Sequence, residues 1–325
     1  MLRVHSTRLF PKQSGADKYV ATGIAARCDW VLYSDQKAPE IQLRGVESTR
    51  HPRHIYLSLR APVAALTHFA SEILPKLTTP FILVSGSEDC TFPVQTDARW
   101  RPFDAPTRAA IDAILASPLL KHWAAENLDL ALHPKLRPLP AGMVFSDAPK
   151  IRDMIEVPDV PALAHRPLTV LCAHRVREGA QWQLRKQVTA CAKTHWGPFC
   201  HLVEHELPEA AFLELCTRHA FVLCAEGGGL DPSPKAWQAI LHGAIPIIRR
   251  TPVTPAYAHL PVAVVEDWAP AALTPARLAE WRADLAPWQD TEAGRGETLH
   301  RLGADYWWNY ACADRDAPPA EAEAV

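Results

Sequence analysis

The chain has 325 residues, which is too many for one ordinary hydrophobic core and enough for two domains. Hydrophobic residues make up 48% of it, charged residues 22%, and the net charge is −2, which excludes extensive disorder and argues against a general nucleic-acid-binding protein. No apolar run approaches the roughly 18 residues that a membrane-spanning helix needs, so we expect no transmembrane segment.

Strand-like and helix-like segments alternate in the first half of the chain. The predicted strands are residues 29–34, 54–59 and 80–86, and the predicted helices are residues 62–77 and 105–116. Residues 133–145 are rich in Pro and predict an extended crossing. Residues 156–167 combine prolines with a lack of periodicity and predict a linker, which places a first domain at residues 1–160.

The second half shows the same alternation more clearly. Its predicted strands are residues 168–173, 201–206, 220–225, 244–248 and 261–267, and its predicted helices are residues 180–194, 208–219, 234–242 and 292–312. Apolar strands that alternate with helices are typical of a parallel sheet covered on both faces. We therefore expect a second domain at 161–290, a C-terminal helix within 291–313 and a disordered polar tail at 314–325.

The eight cysteines lie mostly within apolar segments and predict buried free thiols in a reducing compartment. Five residues of zinc-binding type fall close together in the sequence: Cys191, His195, Cys200, His201 and His205. A strand would point Cys200 and His201 to opposite faces, so the spacing does not favour converging ligands. We predict no bound metal.

The strongest motif is the segment 221–248. Its sequence predicts a strand, a loop with three glycines at 227–229 (the glycine loop), a helix and a second strand. Three consecutive glycines follow the strand and allow positive φ or the close approach of a ligand. Ser233 and Pro234 predict the start of the helix, and Gly243 predicts its end. A helix N-terminus beside such a loop suits an anion such as phosphate. The alternative is a tight turn in which Asp231 and Ser233 act only as caps.

The string EGGGLDPSPKAWQAILHGAIPII (226–248) resembles the nucleotide-sugar-binding signature of exostosin-like glycosyltransferases. Weaker similarity extends over residues 80–93, 119–127, 136–143 and 261–268. The resemblance implies an α/β fold of the GT-B type, in which two Rossmann-like domains face each other across a cleft. It also implies an enzyme that transfers a hexosyl or pentosyl group from a UDP- or GDP-linked sugar to a hydroxyl of a glycan or glycoconjugate acceptor, usually with inversion. The nucleotide sugar is then a co-substrate, and no further cofactor is implied.

The second domain would bind the donor. The donor-binding residues that the resemblance implies are Arg185, Glu226, Gly227, Gly228, Gly229, Asp231, Ser233, Lys235 and Gln238. Arg185 would stabilise the charge on the leaving diphosphate, with His174 and Arg175 as alternatives, although an Arg on a helix can also be merely solvated. Gln238 stands where the family usually has a Glu that bonds the donor ribose, so Gln238→Glu is expected to tighten donor binding.

Inverting transfer needs a general base for the acceptor hydroxyl. Asp89 is the first candidate and Glu88 the second, because both follow a predicted strand at the edge that should face the cleft. Glu126 and His122 are further candidates. The alternative for Glu88 and Asp89 is a solvated pair of loop residues.

Two other functions remain open at this point. One is a non-catalytic nucleotide- or sugar-binding relative, which the Gln at position 238 favours, and the other is an unrelated α/β enzyme with a phosphate ligand. The opening segment lacks the apolar stretch of a signal peptide, so the sequence favours a cytoplasmic protein. The resemblance would imply the Golgi only for a longer chain with an anchor.

Overall fold

The computed structural model describes residues 3–5, 21–35, 41–130, 133–142, 154–179, 182–232 and 234–313. It confirms the predicted fold class, because the chain forms two mainly parallel sheets flanked by helices. The predicted tail and Ser233 lie outside the described residues. No helix in the described part of the chain is long and apolar enough to span a bilayer.

The first sheet has six strands in the order β3-β2-β4-β5-β6-β7. Their bounds are β2 Trp30–Ser34, β3 Ile41–Arg44, β4 His54–Ser58, β5 Phe81–Gly86, β6 Leu120–Glu126 and β7 Leu136–Leu139. The edge strand β3 runs antiparallel to β2, and the other neighbouring pairs are parallel. Helices α1 (Pro62–His68) and α2 (Ala105–Ala116) belong to this half. This is the layered arrangement expected of a Rossmann-like domain.

The second sheet has five strands, all parallel, in the order β10-β9-β11-β12-β13. Its strands are β9 Val170–Cys172, β10 Cys200–Leu202, β11 Phe221–Leu223, β12 Ile245–Arg249 and β13 Ala263–Val265. Its helices are α3 Gln183–Thr194, α4 Glu209–Arg218 and α5 Lys235–Leu241. The strand predicted at 201–206 spans only Cys200–Leu202, and residues 203–208 continue as a loop.

Two predicted helices are interrupted in the structure. The segment 62–77 is α-helical only through His68, and it continues as a π-helical turn and a 3₁₀ turn that contains Pro75. Pro75 has no N–H to donate and so cannot continue the α-helical ladder. The segment 292–312 divides at Gly303, which is extended, into α7 (Glu292–Leu302) and α8 (Ala304–Cys312).

Three apolar clusters hold the molecule together. One lies between the first sheet and its helices, and another lies between the second sheet, α3 and α6 (Pro275–Asp290). The third is central and joins Tyr56 and Val84 of the first sheet to Trp237 of α5 and Trp307 of α8. Because alternate residues of a strand face opposite ways, Leu83 packs in the first cluster and Val84 in the central one.

Helix α8 returns to the first sheet after the second domain is complete. Arg137 of β7 donates from Nη1 to the carbonyl of Tyr310 at 2.9 Å, and the rings of His54 and Trp308 lie 4.8 Å apart. A small antiparallel pair of β1 (Arg3–His5) and β8 (Met154–Glu156) completes the described strands. The predicted boundary near residue 160 stays a prediction.

Candidate functional site

A cavity of about 1200 Å³ lies in the second domain. It is lined by residues just after β9 and β10 and by one side each of α3, α4 and α5. In open parallel sheets, ligands bind beyond the carboxyl ends of the strands, which is where this cavity lies. The loop at 203–208 lines the cavity instead of forming the strand predicted there.

Positive charge predominates around the cavity. The lining lysines and arginines are Arg175, Arg177, Arg185, Lys186, Lys193 and Lys235, and the lining glutamates are Glu204, Glu206 and Glu209. Glu204 pairs with Lys193, and Glu206 pairs with Arg175. Six cations against three carboxylates favour an anionic ligand.

Arg185 is the predicted cation that the structure places most clearly in the cavity wall. Within the described part of the chain, its guanidinium donates only to main-chain carbonyls, from Nε to Glu226 at 3.0 Å, from Nη2 to Ala225 at 3.2 Å and from Nη1 to Arg175 at 3.3 Å. Burial lowers the pKa of Arg185 to about 10, and the nearby guanidinium groups of Arg177 and Arg99 act in the same direction. An anion that bound beside this buried guanidinium would form charge-assisted hydrogen bonds with it.

Lys235 also lines the cavity, at the start of α5. Its Nζ donates to the carbonyl of Ala173 at 2.5 Å and lies 4.5 Å from the centre of the Phe212 ring. Burial lowers the pKa of Lys235 to about 8. His174 accompanies it with a pKa lowered by burial to about 4, so His174 is neutral at pH 7. A neutral imidazole and a titratable amine thus share one wall of the cavity.

Gln238 lines the cavity, and its hydrogen-bond partner there bears on the expected effect of Gln238→Glu. Gln238 is 8% exposed, and its Nε2 donates to Oε1 of Glu209 at 2.9 Å. A carboxylate is therefore present beside position 238, but it comes from α4. Gln238→Glu would place two carboxylates at hydrogen-bond distance, where like charges repel. The change should not tighten donor binding.

The three glycines lie between the two domains. None of Gly227, Gly228 and Gly229 has a positive φ, so the first of the two reasons that the sequence allows for these glycines does not apply. Close approach applies at two of them, to the flexible end of a side chain at Gly227 and to the backbone at Gly229. A Cβ on Gly227 would lie 2.6 Å from Nη2 of Arg185, and one on Gly229 would lie 2.5 Å from the carbonyl oxygen of Asp89.

Glu226 and Asp231 were predicted to bind the nucleotide sugar, but their carboxylates form hydrogen bonds within the protein. The carboxylate of Glu226 is 2% exposed and accepts from Nε of Arg249 at 2.6 Å and from Nε1 of Trp268 at 3.1 Å. Neither Glu226 nor Asp231 lines the cavity. They fix the loop instead.

The carboxylate of Asp231 joins the two halves of the molecule. Its Oδ2 accepts from the backbone N–H of Ala141 at 2.9 Å, and its Oδ1 accepts from the hydroxyl of Tyr257. The predicted cap Ser233 lies outside the described residues, and α5 begins at Lys235, one residue after the predicted Pro234. Asp231 therefore anchors the glycine loop to the first domain.

The candidate bases lie on the first-domain side of the glycine loop. Asp89 is half-buried against Gly229, and among the described residues no hydrogen bond to its carboxylate is found. Glu88 accepts from the backbone N–H of Asp89 at 2.9 Å. Glu126 is 4% exposed and accepts from the N–H of Ser87 at 2.9 Å, and His122 lies beside Arg137, so both are built into the first domain.

Sequence reasoning missed three residues that shape this region. Arg99 donates from Nη1 to the carbonyl of Gly227 at 2.7 Å, and Trp100 donates from Nε1 to the carbonyl of Gly228 at 3.2 Å. Glu209 supplies the carboxylate beside Gln238. Each of these contacts joins residues that are far apart in the chain. The local sequence, for example Asp97–Trp100, shows no pattern that predicts such a contact.

The residues considered for zinc do not converge. Within the part of the chain that the structure describes, no group of three or more His, Cys, Asp or Glu side chains could hold a metal ion. His201 instead contacts His219, with Nδ1 and Nε2 3.0 Å apart. The eight cysteines, all within the described residues, are free thiols.

The chain is similar to solved structures but to no family model or curated protein. The spinosyn rhamnosyltransferase SpnG complexed with thymidine diphosphate matches with 14% identity and a TM-score of 0.34. The match covers 81% of this chain and 70% of that chain.

Proposed function

We propose that the chain is an exostosin-like glycosyltransferase that moves a sugar from a UDP- or GDP-linked donor to a hydroxyl of a glycan or glycoconjugate. The observation that carries the proposal is the cation-rich cavity at the carboxyl ends of β9 and β10, with Arg185 and Lys235 in its wall. A diphosphate would bind these two cations by charge-assisted hydrogen bonds. The resemblance of residues 226–248 to a nucleotide-sugar-binding signature supports the same ligand.

The glycine loop lies between Arg185, the proposed diphosphate ligand, and Asp89, the proposed general base. It contacts Arg185 through Gly227 and Asp89 through Gly229, so the diphosphate side and the acceptor side lie on either flank of one short loop. The Asp89 carboxylate would accept the proton of the acceptor hydroxyl as the acceptor oxygen bonds to the anomeric carbon. The bond between that carbon and the diphosphate oxygen breaks, and its electron pair leaves with the diphosphate. Arg185 and Lys235 would stabilise the charge that develops there.

A non-catalytic nucleotide- or sugar-binding protein is the second candidate. It is favoured by the tight packing of Asp89 against the glycine loop, since a Cβ on Gly229 would lie 2.8 Å from the Cβ of Asp89. This packing narrows the space beside Asp89 in which an acceptor would have to lie. Donor binding without transfer is the result expected of this candidate.

The experiment is a donor screen in which free nucleotide is measured. UDP- and GDP-linked sugars are incubated with the whole chain, with and without a panel of acceptor glycans. The glycosyltransferase predicts release of UDP or GDP that depends on acceptor, and a loss of about a hundredfold or more in Asp89→Asn, as expected for removal of a general base. Glu88→Gln tests the second candidate base: retention of most of the activity assigns the base to Asp89, and a loss as large as that of Asp89→Asn assigns it to Glu88. Binding of nucleotide without any release would favour the second candidate.

A further inference from the structure

We propose that Arg99 of the first domain binds the donor diphosphate together with Arg185, so that the diphosphate links the two domains. The inference rests on the proposed function and adds a contact from the acceptor-side domain. An ion pair with Asp97 holds the side chain of Arg99 in place. Asp97 is 5% exposed, and its carboxylate accepts from Nε of Arg99 at 2.9 Å and from Nη2 at 2.7 Å.

The guanidinium of Arg99 also contacts the second domain. Nη1 of Arg99 donates to the carbonyl of Gly227 at 2.7 Å, across a separation of 128 residues in the chain. Gly227 is also the residue whose Cβ would lie 2.6 Å from Nη2 of Arg185. Two guanidinium groups from different domains therefore flank one glycine.

This arrangement brings like charges together. Arg185 is surrounded by main-chain carbonyls, and Arg99 and Arg177 both disfavour its charged form. Clustered cations of this kind are stabilised by an anion with more than one negative charge. Each terminal nitrogen of a guanidinium carries two N–H groups, and the contacts of Arg99 use one on Nη1 and one on Nη2. Arg99 does not itself line the cavity, but within the described residues the second N–H on each nitrogen has no hydrogen-bond partner, so a phosphate that extends past Arg185 toward Gly227 would accept from it.

A diphosphate fits this pair better than a monophosphate does. Its two phosphates extend along the ligand, so one can meet Arg185 while the other reaches the flank of Gly227 where Arg99 lies. A diphosphate that contacts both Arg185 and Arg99 would therefore stabilise the contact between the two domains that Arg99 and Gly227 make.

The test compares UDP and UMP binding to the whole chain by titration calorimetry. The variant is Arg99→Met combined with Asp97→Asn, which leaves no buried carboxylate without its cation. We expect its Kd for UDP to rise about tenfold and its Kd for UMP to change about threefold or less, since a charge-assisted bond to the second phosphate is lost. Trp100→Phe is the control, because it removes the neighbouring bond to Gly228 and keeps the cation. Arg99→Lys should fall between the unaltered chain and the double variant.

Three results would overturn the role of Arg99 while leaving the proposed function in place. They are an unchanged Kd for UDP in the double variant, an equal loss in Trp100→Phe, and an equal loss for UMP and UDP. The first would mean that Arg99 does not touch the ligand, and the others that it acts only through the domain contact. If the unaltered chain binds neither UDP nor GDP, the proposed function itself fails.

Discussion

Position 238 shows how a single tertiary hydrogen bond changes the interpretation of a motif. In the sequence, Gln238 is a departure from a family pattern that expects Glu. In the structure, the amide of Gln238 holds the carboxylate of Glu209, so a carboxylate still lies in this wall of the cavity. No local pattern could reveal this, because the two residues lie on different helices and are 29 positions apart in the chain.

Gln238→Glu is therefore predicted to weaken the site. Two carboxylates at this spacing repel, and one of them must bind a proton or move away. We expect a loss of about 1 kcal/mol in the free energy of unfolding at pH 7 and no gain in UDP affinity. Urea denaturation and calorimetry measure the two quantities. The double variant Gln238→Glu with Glu209→Gln restores one amide and one carboxylate and should recover the stability. A tighter Kd in the single variant would contradict this account.

Lys235 gives donor binding a predicted pH dependence. Its pKa is lowered to about 8 by burial, and an anionic ligand binds the protonated amine more strongly than the neutral one. Affinity for UDP should thus be highest below pH 8 and fall as the pH rises above it. The phosphates titrate near pH 6 and keep their charge in that range. Burial raises the pKa of the neighbouring thiol of Cys224 to about 12, so that thiol stays neutral.

The measurement is the Kd for UDP between pH 7 and pH 9.5. We expect an increase of about tenfold over this range in the unaltered chain. Lys235→Met should bind UDP weakly with little dependence on pH. An unchanged Kd across the range, or an equal increase in Lys235→Met, would show that the amine does not contact the ligand.

At the scale of elements, the sequence predicts best where a segment is buried on both faces. β5 and β11 are apolar and fully buried, and their positions are predicted to within about two residues. β3 is half-buried at all four positions, and β6 has an exposed Lys121 next to its first residue, so neither shows a strand pattern. α6 was not predicted because it buries little more than Leu278 and Gln289 and shows no apolar stripe.

The position of the glycine loop was predicted, and the sequence allowed two reasons for its glycines, positive φ or a close approach. The structure shows no positive φ, and a Cβ would meet the end of the Arg185 side chain at Gly227 and the backbone of Asp89 at Gly229. Both contacts depend on how the elements pack against each other. A sequence can mark such a loop without telling which of the two reasons applies.

Helix α7 offers a matched pair of glycines for a prediction on stability. A Cβ at Gly296 meets nothing within 4 Å, whereas one at Gly294 would lie 2.0 Å from the carbonyl oxygen of Pro287 in α6. Gly296→Ala should raise the free energy of unfolding by about 0.5–1 kcal/mol, because Ala restricts the unfolded chain and favours a helix. Gly294→Ala should lower it by about 1–3 kcal/mol, because α6 and α7 must move apart. Thermal or urea unfolding distinguishes the two, and equal effects would contradict the packing of α6 on α7.

At the scale of the whole molecule, the two sheets meet through a shared core, the returning helix α8 and the glycine loop. Trp237 of α5 donates to the carbonyl of Leu302 at 3.1 Å, and its ring lies 6.2 Å from that of Trp307. Arg137 of the first sheet meanwhile bonds α8. The sequence predicts two domains and their class, but these contacts depend on three-dimensional packing between residues far apart in the chain. They bring Asp89 to the loop that also touches Arg185.

The central claim is that a nucleoside diphosphate binds the cavity of the second domain through Arg185. Calorimetric titration of UDP and GDP into the whole chain, unaltered and as Arg185→Met, tests it most directly. Arg218→Met is the control, since it removes the same charge from an exposed position on α4. The account predicts a Kd of about 1 mM or tighter for at least one nucleotide, weakened about tenfold or more in Arg185→Met and unchanged in Arg218→Met. Absence of heat with both nucleotides, or an equal Kd for Arg185→Met and the unaltered chain, would contradict it.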